Sequence, residues 1–94
     1  MSPAPSHNPA MEHVNKCTAT LRPLIHAGET DSIPHAEKAI DDMLAAAPAD
    51  QHKASLDHVR AAIDAHCASV FAPHQLKFAD AINDYIERLM TRFE

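Results

Sequence analysis

His13 and Cys17 stand four residues apart, and His66 and Cys67 are adjacent. Imidazole nitrogen and thiolate sulfur are the ligands of closed tetrahedral zinc sites. A four-residue spacing places two ligands on one face of a helix. If the helices that carry the two pairs are neighbours, the four side chains form a Cys2His2 set. Two features weigh against it. Adjacent residues on a helix diverge by about 100°, which separates His66 from Cys67. The chain also has no Cys-x-x-Cys, no His-x-x-x-His and no Glu-x-x-His, the last being the pair that builds di-iron bundles. The plainer expectation is that both cysteines are small core side chains, that His66 sits at the core edge, and that no cofactor is held. A metal site on these four residues is the alternative.

A second chemistry attaches to His58. Histidine phosphotransfer domains are four-helix bundles with an exposed histidine, small neighbours and a nearby cation. Here Ala61, Ala62 and Ala65 surround His58 at helical spacing, and Arg60 is close. Those domains usually place a lysine three residues after the histidine and a glycine next. This chain has Ala61 and Ala62 there, with Arg60 one residue early.

Other catalysis has less support. A single glycine, Gly28, cannot build a phosphate loop or a nucleophile elbow. Cysteines on apolar stripes are poor thiolates. The carboxylates Asp80, Asp84 and Glu87 are interleaved with Arg88 on a polar face, which is the pattern of a solvated helix and not of an enclosed acid/base pair. The expectation is a protein that is not an enzyme.

The elements that position these residues are read from the apolar period. The last stretch is the clearest: Phe78, Ala79, Ile82, Tyr85, Ile86, Leu89, Met90 and Phe93 share one helical face. Asn8 and Pro9 open a first helix with Met11, Val14, Cys17, Thr18, Leu21, Leu24 and Ile25 on one stripe, Pro23 on the opposite side, and Gly28 as a left-handed stop. Asp31 or Ser32 caps a second helix bearing Ile33, Ala36, Ile40, Met43, Leu44 and Ala47, which Pro48 ends. Asp50 caps a third, with Leu56, Val59, Ile63, Cys67, Val70 and Phe71 on its stripe and His52 and His66 beside them. A corner at Ala72-Pro73 then starts the fourth. An unbroken rod through Pro73 is the competing arrangement.

The spacing predicts helices over 9–27, 33–46, 51–71 and 74–93, and the short 47–50 link predicts that the second and third helices are antiparallel neighbours. The expected fold is all-α: a small up-down-up-down four-helix bundle over 9–94, after a disordered leader over 1–8.

The formal charge is −5 with neutral histidines, and charging all eight would carry it to +3. An acidic chain lacks the basic footprint of a nucleic-acid binder. It has no apolar run of about 20 residues and no basic amphipathic face for a membrane. The first eight residues lack a signal core, and two cysteines without such a signal suit free thiols, so the expected location is cytoplasmic. What remains is binding through a surface. The small side chains Ala61 and Ala65 permit close approach beside Asp57, and an acidic face on the second and fourth helices, Glu37, Asp41, Asp42, Asp80, Asp84 and Glu87, supplies negative charge for a basic partner. The partner expected is another protein, with the chain as regulator, inhibitor or adaptor. Self-association through the broad stripe of the last helix, giving a homodimer, is a further expectation.

Overall fold

The computed structural model describes residues 9–69 and 72–93. Four α-helices form an all-α bundle: α1 (Pro9–Ala27), α2 (Ile33–Ala46), α3 (His52–Cys67) and α4 (Pro73–Thr91). One-turn 3-10 segments, Thr30–Ser32 and Ala49–Gln51, lead into α2 and α3. Among the described residues there is no strand. The leader 1–8, the capping role of Asn8, and Val70 and Phe71 lie outside the described residues.

The helix ends follow local chemistry. Gly28 stops α1 at φ +63, and its N–H donates to the Leu24 carbonyl at 2.9 Å. This is the left-handed cap that only glycine adopts without penalty. Pro23 lies on the exposed side of one continuous helix. Pro34 occupies the first turn of α2, where a missing N–H costs nothing. Ala47, held extended by Pro48, ends that helix. Ala72 is likewise extended (φ −73, ψ 134) before Pro73, so the chain turns a corner into α4.

Three local expectations are corrected. Ser32 occupies the N-cap of α2 but makes no side-chain cap bond, and Asp31 lies in the 3-10 turn before it. Asp50 does not cap α3 either: Gln51 takes that position, without a side-chain bond, because the 3-10 turn delays the helix by a residue. α3 also ends early, at Cys67 instead of residue 71. The Ser69 N–H and hydroxyl both donate to the His66 carbonyl, at 2.9 and 2.7 Å, and close the helix there.

The core is the union of the four stripes: Val14, Cys17, Leu21 and Ile25 from α1, Ala36, Ile40 and Met43 from α2, Leu56, Val59 and Ile63 from α3, and Phe78, Ala79, Ile82, Ile86 and Leu89 from α4. Each large side chain so buried contributes about 1.5–3 kcal/mol relative to exposure. α1 packs on α2 and α3, and α4 packs on the same two, with a further α1–α4 contact across the bundle. α2 and α3, consecutive in the chain, make little contact with each other. The expectation that the short link makes them neighbours is therefore corrected. The extended Ala47-Pro48 pair and the Ala49–Gln51 turn carry the chain across to the far side of α1 and α4.

The α1–α4 contact is anchored by one amide. Gln75 donates through Nε2 to the His26 carbonyl at 2.6 Å and accepts from the Ala72 N–H through Oε1 at 3.3 Å. It satisfies an orphan carbonyl at the end of α1 and an orphan donor at the start of α4. No apolar period flags such a residue.

Candidate functional site

α3 and α4 are joined along one edge by paired polar side chains. Arg60 Nη2 donates to Glu87 Oε1 at 2.7 Å, and Asn83 Nδ2 donates to Asp64 Oδ1 at 3.3 Å. Four residues forward on α3 thus match four residues back on α4, which defines an antiparallel pair with its polar edges joined. One turn further, Asp64 and Asp80 both act on the Cys67 thiol. The outer surface of this pair carries Asp57, Asp64, Asp80, Asp84 and Glu87, with Ala61 and Ala65 exposed between the carboxylates of α3. All six residues expected at a partner surface, Asp57, Ala61, Ala65, Asp80, Asp84 and Glu87, are exposed on these two adjacent helices.

The cations on these two helices are Lys53, Arg60, Lys77 and Arg88. Arg60 is engaged by Glu87, and Arg88 lies 3.5 Å from Asp84 as an i,i+4 pair. Exposed pairs of this kind contribute about 0–1 kcal/mol. Their effect here is local neutralisation.

The same Arg60–Glu87 pair bears on His58. His58 is exposed on α3, as its position in the period requires, and Ala61 and Ala65 lie open beside it. Arg60, the cation that would meet a phosphoryl group, is instead turned to α4 and held by a carboxylate.

The four candidate metal ligands are not brought together. His13 and Cys17 line a groove between α1 and α2, whereas His66 lies between α1 and α3 beside Thr18 and Arg22. Cys67 faces the α4 side, near Asp64 and Asp80. α1 itself stands between the two pairs. Among the described residues no group of three or more His, Cys, Asp or Glu side chains converges on a point.

Both cysteines are free thiols among the described residues. Burial pushes the Cys17 thiol from 9.0 up to about 12, and burial followed by the charges of Asp64 and Asp80 raises that of Cys67. Both shifts make the thiols poorer sources of thiolate. Cys67 is only half-buried, so a thiol reagent is expected to modify it first. Native Cys17 should react at least about a hundredfold more slowly, because its exposure requires opening of the bundle. Site-resolved mass spectrometry of iodoacetamide-treated protein checks this. Equal rates would mean that α1 is not packed as described.

On the opposite edge α4 meets α2 through Tyr85, whose hydroxyl donates to Asp41 Oδ1 at 2.6 Å while Arg88 stands 5.7 Å from the ring. Desolvation, then the hydrogen bond and charge of Asp41, push the Tyr85 phenol from 10.0 up to about 12. The sign follows from linkage. A raised acid keeps its proton better in the folded state, so its stabilisation is whole below pH 10 and is lost as pH rises towards 12. Cys17 adds a loss in the same direction above pH 9. The bundle should therefore lose stability steadily from pH 9 to 12. The slope should be shallower in Tyr85→Phe, as read by urea unfolding at each pH. A Tyr85→Phe slope equal to wild type would rule out the phenol as a contributor.

The broad stripe of α4 is largely used internally. Phe78, Ala79, Ile82, Ile86 and Leu89 are buried, and Tyr85 and Met90 are half-buried. Leu76 and Phe93 stay exposed, at 39% and 40%. They lie at opposite ends of the helix, about 25 Å apart along its axis. Phe93 rests edge-on against His52, at 5.4 Å between ring centres. No continuous apolar strip is left on α4 among the described residues.

Two polar residues, Ser55 buried and Gln51 half-buried, carry no apolar-period signal. Ser55 lies in the core face of α3 and Gln51 one turn before it, and both have side-chain oxygens without a protein partner among the described residues.

No protein-family model matches the chain, and no curated protein or solved structure matches it. No described helix is long and apolar enough to cross a membrane.

Proposed function

We propose that this chain is a non-enzymatic cytoplasmic module that binds another protein through the acidic α3–α4 ridge, as a regulator, inhibitor or adaptor. The observation that supports this reading is the pairing of α3 with α4 through Arg60–Glu87 and Asn83–Asp64. It places Asp57, Ala61 and Ala65 beside Asp80, Asp84 and Glu87 on one rigid two-helix surface. Alanines let a partner backbone approach, and the carboxylates around them select a basic partner and repel an acidic one. Regular helices hold the charges in place, so little ordering cost is incurred on docking.

The test is capture of binding proteins from the native host by the immobilised chain. Wild type is compared with Ala65→Arg and Asp84→Arg, both on exposed positions that leave the core intact. A specific partner should be retained by wild type and reduced at least about tenfold by each variant, because a like charge facing a basic surface costs more than an exposed pair contributes. Retention should also fall with salt, since exposed charges are screened within about 10 Å at 0.1 M. Undiminished capture by both variants would place the interface elsewhere.

A further inference from the structure

A groove of about 400 Å³ lies between α1 and α2. It is lined by two lysines, two histidines and a single carboxylate, Asp42, on a chain whose formal charge is −5. Its floor is apolar, made by Cys17, Ala39 and Met43. A mostly apolar concavity with a few placed polar groups is the usual form of a small-molecule site, and this volume lies within the usual range for one.

The arrangement of cations along the groove defines the ligand further. α1 and α2 are joined by a short turn and packed together, hence antiparallel. His13 and Lys16 therefore lie towards the Ala46 end, and His35 and Lys38 towards the Thr20 end. Seven helical residues separate His13 from Thr20, a rise of about 10 Å. Lys38 is hydrogen-bonded to Asp42 at 2.8 Å, but the two side chains are 72% and 65% exposed. A pair so open holds Lys38 weakly and leaves it able to exchange onto a ligand anion. We propose that the α1–α2 groove binds a small elongated organic dianion, an α,ω-dicarboxylate with an apolar midsection. One carboxylate pairs with the Lys16–His13 end, the other with the Lys38–His35 end, and the methylene chain lies over Cys17, Ala39 and Met43. An extended eight-carbon diacid spans about 9 Å between its terminal carbons, comparable to the rise of about 10 Å along the α1 wall from His13 to Thr20.

This site is on the opposite side of α1 from α3 and does not depend on the proposed protein-binding role of the α3–α4 ridge. The test is titration of the full chain with octanedioate, followed by amide NMR shifts at Lys16, Cys17, Ala39 and Met43. A Kd of about 0.1–1 mM is expected for a ligand of this size. Octanoate should bind about three- to fivefold more weakly, and octane-1,8-diol and octylamine should give no saturable shift. Lys16→Ala and Lys38→Ala, both exposed, should each weaken octanedioate about three- to fivefold, the range of a solvent-accessible ion pair. Ala46→Leu should fill one end and weaken all chain-length analogues. Absence of saturable shifts at 10-fold above that Kd, equal binding of the diol, or binding unchanged in the Lys16→Ala/Lys38→Ala double variant would each overturn the proposal.

Discussion

Phe78→Ala is expected to destabilise the bundle by about 3–5 kcal/mol. Phe78 is 1% exposed and heads the buried residues by side-chain volume. It lies in the second turn of α4, inside the cluster that all four helices share. Truncation removes its transfer free energy and leaves a cavity that rigid helices collapse only partly to fill. A chain of this length has a total stability of roughly 5–14 kcal/mol, so the loss is a large share of the whole. The midpoint of thermal unfolding should fall by at least about 15 °C, and a stability near the lower bound would leave the variant largely unfolded at 37 °C. Circular dichroism during heating and urea decides this. A loss below about 1 kcal/mol would mean that α4 does not seat Phe78 in the core.

Gly28→Ala should cost about 2–4 kcal/mol, although glycine to alanine is the smallest side-chain addition there is. Two costs combine. A non-glycine residue at φ +63 is strained by about 1–2 kcal/mol. The added Cβ would also run into the His74 ring and press to 3.1 Å on the Gln75 backbone nitrogen. Gly28 is thus both the cap of α1 and the floor on which the first turn of α4 rests. The two costs separate in a double-mutant cycle. In a His74→Ala background the ring collision is removed, and Gly28→Ala should then cost less, what remains being the backbone strain of about 1–2 kcal/mol and the close contact with the Gln75 backbone. An identical cost in both backgrounds would show that α4 does not sit against Gly28. Gln75, which ties His26 to Ala72 in the same joint, belongs to the same cooperative unit.

What the sequence displayed well was what short-range physics decides. Pro34, Pro48, Pro73 and Gly28 each act within two residues of themselves, and the helix ends they imply agree closely with Ala27, Ile33, Ala46 and Pro73. The stripes were legible for the same reason: a 3.6-residue period needs no knowledge of what covers it. Caps were less legible. Asp50 and Ser32 have the right chemistry, but 3-10 turns preceding α2 and α3 change the geometry at those positions. Helix order was not legible at all, because four similar apolar stripes do not state their neighbours. Whether α2 packs on α3 depends on how Ala47 to Gln51 routes the chain, which no local pattern reports.

The candidate site divides along the same line. Exposure of Asp57, Ala61, Ala65, Asp80, Asp84 and Glu87 followed from the helical period. Their assembly on one surface required the register in which Arg60 meets Glu87 across 27 residues. The pairing of His13 and Cys17 with His66 and Cys67 required α1 and α3 to face each other through those residues, and α1 turns the first pair towards α2 instead. The groove cations were hidden in the sequence because Lys16 and Lys38 lie 22 residues apart and each reads alone as a solvated lysine.

The most direct measurement of the central claim is zero-length carbodiimide cross-linking of the chain to its captured partner, with the cross-linked carboxylates identified by mass spectrometry. This chemistry joins a carboxylate to an amine only where the two are in contact. Cross-links are expected from Asp57, Asp80, Asp84 or Glu87 to partner lysines, lost at about 0.5 M salt and in Ala65→Arg. Cross-links confined to Glu29, Asp31, Asp50 or the α2 carboxylates, with none from α3 or α4, would contradict it.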